Sequence, residues 1–281
     1  MTVMVNVLFC GNDGVYDGIL TSVLSILKRS PGVGPITVHI FTLDLSHIKP
    51  SYIPISEKKT AFLERVMREY DDGHRVVLTD VYDLYKKYFD GCPNEGAYCS
   101  PYTLIRLLAD EVSGMPDKLL YLDADVMFNR SISELYDIDV SGYEYAAARD
   151  HYGKFLVHPN YINAGVLLFN LAEMRRTGIL KRARRLLGEK KLLFADQSAL
   201  IRSTAKKLML PQKFNDQKFL HKRTVVRHFS KRLFYLPYPH TANVKQWQVS
   251  LVHKVFGYCE FDDVLYEYLY LKRVLEKGET L

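Results

Sequence analysis

Leu119-Leu120-Tyr121-Leu122-Asp123-Ala124-Asp125 is the stretch on which the reading of this chain turns. Four apolar residues in a row read as a strand buried on both faces, and two carboxylates follow where it must reach the surface. In extended backbone, side chains two apart point the same way, so Asp123 and Asp125 can converge on one hard cation across Ala124. A divalent cation held there would neutralise a diphosphate, which makes phosphate-linked chemistry the first expectation. The plainer alternative is a pair of turn acids, because Asp is common wherever a strand gives way to a loop.

Outward from this stretch, strand and helix patterns alternate. Residues 3–9 read as a buried strand, 18–28 as a helix, 36–43 as a second strand, 57–70 as a helix and 75–78 as a short strand. A helix over 102–112 precedes the acid-tipped strand 118–122. Beyond it, 143–148 and 166–171 read as strands, 172–191 and 197–207 as helices, and 224–229 as a late strand. The alternation predicts an α/β fold, a mainly parallel central sheet with helices on both faces. No low-complexity linker or internal repeat interrupts it, so residues 1–260 are expected to form one catalytic domain and 261–281 a helical tail. That tail, rich in Tyr and Leu, can cap the domain, dimerise or meet a membrane, and its sequence does not choose.

The chain has 281 residues, 48% of them hydrophobic, enough for a substantial core. A formal net charge of +6 suits anionic partners such as nucleotide-sugars or an anionic membrane surface. No basic run is interleaved with an aromatic platform, which argues against nucleic acid. Cys10, Cys92, Cys99 and Cys259 show neither CxxC pairing nor a neighbouring His cluster, so neither a zinc site nor a disulfide framework is expected. Residues 1–9 lack the basic start of a secretory signal, and no apolar run approaches the length of a membrane span. The expected location is cytoplasmic, with any membrane contact peripheral. The basic residues of 173–191 read first as a solvated helix face, and secondarily as a docking surface for anionic lipid.

Five clusters carry further chemistry. Cys10-Gly11-Asn12-Asp13-Gly14-Val15-Tyr16 is a polar turn between a strand and a helix, the place where open α/β sheets bind ligands, although it is not a GxGxxG fingerprint. Asn163-Ala164-Gly165 opens an apolar strand. Asp196-Gln197 heads a helix, where Asp196 is as readily an N-cap as a catalytic group. His228-Phe229-Ser230 and His240, followed by Lys245-Gln246-Trp247, each bring an imidazole, the usual third partner of two carboxylates on a transition metal.

Taken in order, Leu120-Tyr121-Leu122-Asp123-Ala124-Asp125, Asn163-Ala164-Gly165, Asp196-Gln197, Phe214-Asn215, His228-Phe229 and Lys245-Gln246-Trp247 resemble glycosyltransferase family 8. The resemblance spans about residues 3–250. It implies a GT-A fold and a retaining transfer of a hexose, galactose or glucose, from a UDP-sugar. The acceptor would be a saccharide, glycolipid or glycoprotein, in surface polysaccharide or glycoconjugate synthesis. The implied cofactor is Mn²⁺, with Mg²⁺ as the alternative, held by Asp123, Asp125 and a histidine. Arg106 matches the arginine that contacts the donor. Asp150, Asn163 and Asp196 match residues that bind sugar hydroxyls, and Gln197 sits near the reacting carbon. Ala124 and Ala164 belong to the donor-binding segments, Asn12, Asp13 and Tyr16 to the uridine turn, and Lys245 reaches the diphosphate.

The sequence departs from the family pattern in two places. The compact final motif is opened out here, so that His228 and His240 both qualify as the metal ligand, with His228 preferred because His-Phe ends a strand. In the uridine turn, Asn12 replaces a frequent acid and Tyr16 is expected to take over stacking. The same Asp-x-Asp stretch also resembles haloacid-dehalogenase phosphatases, but Met127 stands at their final motif position and Asn163 and Asp196 have no part in that scheme. A catalytically silent sugar-nucleotide-binding protein is the third alternative.

Overall fold

A computed structural model describes residues 4–96, 100–234 and 238–279. Strand β1 (Val5–Cys10) leads through a 3₁₀ turn at Asp13–Val15 into helix α1 (Tyr16–Arg29). β2 (Ile36–Thr42), α2 (Glu57–Arg68), β3 (Arg75–Asp80) and α3 (Tyr82–Phe89) follow. Two 3₁₀ turns, Pro101–Thr103 and Ile105–Leu108, precede β4 (Lys118–Leu122) and β5 (Val126–Phe128). Next come α4 (Ser133–Tyr136), β6 (Tyr145–Arg149), α5 (Gly153–Leu156), β7 (Ile162–Asn170), α6 (Leu171–Thr177), α7 (Ile179–Glu189), α8 (Ala195–Ser203) and β8 (Lys207–Leu210). The remainder comprises β9 (Val226–His228), β10 (Arg232–Phe234), β11 (His240–Ala242), α9 (Val249–Phe256) and α10 (Asp262–Lys277).

The main sheet has seven strands in the order β3-β2-β1-β4-β7-β6-β8. Only β7 runs against its neighbours β4 and β6; the other pairings are parallel. Helices cover both faces, which is why the central strands read as continuous apolar runs: every residue of β2 is buried. Val7, Ile40, Leu120 and Leu168 face the layer containing α1, α2 and α10, while Leu8, Phe41, Tyr121 and Leu167 face the layer of α3, α7 and α8. Each such side chain contributes roughly 1.5–3 kcal/mol on burial. This rigid frame brings the C-terminal ends of β1, β4 and β6 to one edge, together with the start of β7.

The expected helix over 102–112 is instead the pair of 3₁₀ turns. The apolar residues there are buried all round rather than along one stripe, and the tighter winding leaves the Thr103 carbonyl for Arg106 Nε (2.9 Å). The helix expected over 172–191 divides at Gly178, whose φ of 68° ends α6 in the left-handed conformation. The helix expected over 197–207 stops at Ser203. There the buried Glu144 carboxylate accepts hydrogen bonds from Thr204 Oγ1 and the Ala205 amide, turning the chain into β8. In the tail, Leu265, Tyr268 and Leu271 of α10 join the core beside α1, and Arg29 clamps Asp263 with two hydrogen bonds of 2.7 Å. Of the roles open to the tail, capping is the one this packed face performs. Cys10, Cys92 and Cys259 are free thiols, while Cys99 lies outside the described residues, as does Pro237 of the opened-out segment.

Candidate active site

Asp123-Ala124-Asp125 forms the turn between β4 and β5 rather than an extended continuation of the strand. The two carboxylates converge nonetheless, because each flank is pinned by a different partner. The Asp123 amide donates to the Gly165 carbonyl at the start of β7 (2.8 Å), and the Asp125 carbonyl accepts from the Phe229 amide (2.7 Å). Between β5 and β9, Val126 lies opposite His228 in antiparallel register. His228 Nε2 therefore stands 3.1 Å from Asp125 Oδ1 and 3.8 Å from Asp123 Oδ2. One ligand atom from each of the three lies within 4.8 Å of the other two. Two carboxylate oxygens and one imidazole nitrogen are a fitting donor set for a borderline divalent cation.

Gly165 makes room for this cluster. A Cβ there would lie 2.8 Å from Asp123 Oδ2 and closer still to His228 Cε1. Between the two candidate histidines the geometry separates cleanly. His240 sits on β11, its ring stacked 5.5 Å from Phe234 and its Nδ1 bonded to the Tyr238 carbonyl, and it takes no part in the acid cluster.

A buried relay orients His228. Asn215, fully buried, donates from Nδ2 to Asn163 Oδ1 (2.9 Å), so its own Oδ1 is left to accept from His228 Nδ1 (3.0 Å). That bond fixes the ring's orientation and presents Nε2 to the acids. Asn163 Nδ2 in turn donates to Asp150 Oδ2 (2.8 Å), whose other oxygen accepts from the Tyr152 and Gly153 amides. Asp150 and Asn163 thus form one polar unit linked to the metal-candidate histidine.

Arg106 organises the opposite side. It is buried, its guanidinium stacked 4.1 Å over Tyr121, and it donates to the Ala164 carbonyl (2.6 Å). Its remaining nitrogens pair with Asp123 (3.1 Å) and Asp196 (3.3 Å), while Tyr121 Oη donates to Asp123 Oδ1 (2.6 Å). Burial pushes the Asp196 carboxyl above the usual carboxylate range, an effect that Arg106 opposes. Gln197 Oε1 accepts from the Ala164 amide (3.0 Å), at the head of α8. Asp125 is the contrary case: burial would raise it, but Lys245 and His228 prevail and hold it well below that range. Lys245 Nζ lies on Asp125 Oδ2 and 3.3 Å from the Phe229 carbonyl.

Cys10, Gly11, Asn12 and Val15 form one wall of the cleft, Tyr102 and Thr103 another, and Lys245 with Trp247 a third. The turn after β1 needs a correction. Tyr16 is buried and spends its hydroxyl on the Lys59 carbonyl (2.7 Å), so its ring cannot stack on a base in the cleft. Asp13 pairs with Lys59 Nζ (2.6 Å) and points away from the cleft lining. After the 3₁₀ turn Tyr16 enters the core and Asp13 meets Lys59, while Asn12 and Val15 line the cleft. The sequence reading also gave no role to Asn215, Tyr121 or Gln246. Gln246 is fully buried and bonds the Ala124 carbonyl (2.7 Å) and Thr21 Oγ1 (3.1 Å). Only Tyr121 carried a signal of this kind, a hydroxyl inside the apolar run 119–122.

The sequence model of glycosyl transferase family 8 matches residues 6–232. A Haemophilus influenzae protein assigned as a glycosyltransferase is 25% identical over 188 residues, covering 63% of this chain and 52% of that one. Glycosyltransferase GlyA of Streptococcus pneumoniae is 35% identical over 66 residues, 24% of this chain and 10% of its own. The chain therefore spans about half the length of the first relative and a tenth of the second. Among solved structures, the galactosyltransferase LgtC in complex with donor and acceptor sugar analogues superposes with a TM-score of 0.66 at 21% identity, covering 93% of this chain and 95% of its own. The bifunctional glycosyltransferase WbbM gives 0.72 at 16% identity, covering 99% and 52%. The shared fold is of the GT-A type, and the family match removes the phosphatase alternative.

Proposed function

The chain belongs to glycosyl transferase family 8, and we propose that it moves a hexose from a UDP-sugar to a saccharide-bearing acceptor with retention of the anomeric configuration. The observation that carries this reading is the convergence of Asp123, Asp125 and His228 on one point of the cleft, with Gly165 keeping that point open. These three residues would hold Mn²⁺, or Mg²⁺ in its place. A cation so bound offsets the negative charge that grows on a departing diphosphate.

The remaining work belongs to the chain's own groups. Lys245, now on Asp125, is within reach of the same anionic leaving group and would stabilise it more as the glycosyl bond breaks. Asp150 and Asn163, joined by a 2.8 Å hydrogen bond, hold sugar hydroxyls and so place the anomeric carbon. Gln197 offers an amide next to that position, and an amide is a poor nucleophile. Asp196 is buried and tied to Arg106 at 3.3 Å, an arrangement suited to support rather than to attack. Both features favour attack by the acceptor hydroxyl on the face from which UDP departs, over a covalent glycosyl-enzyme.

The test is a panel of UDP-sugars scored by UDP release with and without Mn²⁺, followed by proton NMR of the new linkage. One donor should stand out, its turnover should vanish on chelation, and an α-configured donor should give an α-linked product. A β-linked product would overturn retention. Donor binding without UDP release from any sugar would favour the silent binding protein instead.

A further inference from the structure

The basic helix singled out by sequence is largely neutralised in place. Arg176 pairs with Glu173 (2.6 Å), Arg184 with Asp110 and Glu111, and Arg185 with Glu189 (3.7 Å). Positive charge that enters no ion pair among the described residues lies in a later segment. Between Asp216 and Glu260 the sequence contains no Asp or Glu, yet it carries Lys218, Lys222, Arg223, Lys231 and Arg232. Residues 151–172 are also free of acids.

These segments share one surface beside the sugar-side acids. The His151 amide donates to Gln217 Oε1 (2.9 Å), the Leu233 amide donates to Tyr152 Oη (3.2 Å), and the Arg232 guanidinium covers the Phe219 ring at 4.9 Å. Tyr161, at the base of the 151–160 turn, packs 6.0 Å from Phe194, which joins the turn before α8 to the same surface. Each segment ends in an apolar tip. Phe155 is 78% exposed, Leu156 81% and Leu193 71%, and Phe219 and Tyr238 are exposed as well. Lysines flank these tips: Lys154, Lys190 and Lys191, and Lys218.

Large apolar side chains held in water beside unopposed cations match the two layers of a membrane surface, anionic headgroups above acyl chains. We propose that this surface seats the protein on an anionic bilayer leaflet, so that the acceptor reaches Asp150 and Asn163 as the head group of a lipid-linked saccharide. The acceptor half of this inference rests on the transferase reading above. The direction of approach follows from sequence adjacency, because the Phe155-Leu156 tip is the continuation of Asp150 and the Leu193 tip runs directly into Asp196.

Co-sedimentation of the full chain with phosphatidylcholine vesicles, with and without about a third phosphatidylglycerol, tests it. Wild type should pellet with the anionic vesicles and largely stay in solution with phosphatidylcholine alone. The double change Phe155→Ser/Leu156→Ser should weaken partitioning about tenfold, and Lys218→Glu/Lys222→Glu should abolish the preference for phosphatidylglycerol. Neither variant touches the cleft, so Mn²⁺-dependent UDP release in solution should match wild type, which also reports that both are folded. Equal partitioning of the tip variant and wild type overturns the proposal. So does a wild type that ignores vesicles, or one that binds soluble dextran sulfate as well as vesicles and is indifferent to the tip changes, which would mark a polyanion surface. Absence of UDP release from every donor would instead refute the transferase reading, whatever the vesicles show.

Discussion

Asp123 and Asn163 ride on the sheet, at the end of β4 and the start of β7, whereas His228 arrives on the short β9 and Lys245 on the segment between β11 and α9. The sheet half is fixed by ladders of main-chain hydrogen bonds and by two packed faces. The C-terminal half is joined to it by only the short β5–β9 ladder and the Phe229–Asp125 main-chain bond, with side chains such as Asn215 to Asn163 and Gln246 to Ala124 tying the two together. The difference teaches that the candidate metal site is not the property of either half. The residues that would hold a cation come from both, so a bound cation would act as a clasp, and metal binding should stabilise the fold by linkage, about 2.7 kcal/mol at a hundredfold excess over Kd.

The most severe way to break the clasp is Asp125→Ala. It removes a ligand and leaves Lys245 and His228 facing each other without their shared counter-charge. UDP release should fall by roughly three orders of magnitude, and the Mn²⁺-induced rise in Tm should disappear while the metal-free far-UV spectrum is unchanged. Near-normal turnover in saturating Mn²⁺ would sink the metal assignment. Gly165→Ala attacks the same point from the sheet half. A methyl group there must displace either Asp123 or His228, costing about 1–3 kcal/mol of stability through overpacking and about a hundredfold in turnover through lost preorganisation. Calorimetric Mn²⁺ titration should show the loss directly.

A gentler cut separates the halves without touching a ligand. Asn215→Ala frees His228 Nδ1 and uncouples it from Asn163. Mn²⁺ affinity should drop about 10- to 100-fold, the range typical of partners that orient a metal-bound imidazole. Added Mn²⁺ should rescue part of the activity, whereas His240→Ala should leave both quantities at wild-type levels. An equal loss from the two changes would mean that Asn215 acts through general stability alone.

The two halves also differ in how much of them can be read without coordinates. The sheet half was legible because burial on both faces writes unbroken apolar runs, and a strand that ends in Asp123-Ala124-Asp125 stands out against them. Its register, the turn at those acids and the antiparallel β7 were not, since pairing is decided by partners distant in sequence. In the C-terminal half, β9, β10 and β11 have three residues each, too few for any periodicity to emerge, and the choice between His228 and His240 needed the β5–β9 register. Tyr16 was misplaced for a local reason: a 3₁₀ turn rotates side chains by a different angle from an α-helix, so the residue after it faces the core. Asn215 was visible only as an asparagine after an aromatic. Its meaning lies in two hydrogen bonds to residues 52 and 13 positions away.

The smallest expected effect tests whether α1, which both halves lean on, transmits strain between them. Arg29 on α1 holds Asp263 of α10 and the Glu260 carbonyl, at a place remote from the cleft. Arg29→Ala should cost no more than about 1 kcal/mol, because the pair is partly exposed and screened by solvent. The hydrogen bonds from Arg29 hold the Asp263 carboxyl below the usual carboxylate range. A depressed carboxylate contributes stability above its unfolded pKa of about 3.9 and loses that contribution as pH falls through the lower folded value. The gap in stability between wild type and Arg29→Ala should therefore be constant near neutrality and close below about pH 4, in urea titrations repeated across that range. Donor turnover should be unchanged. If UDP release falls along with stability, the docking of α10 reaches the segment carrying Lys245 through α1, and the two halves of the cleft are mechanically coupled even without a cation between them.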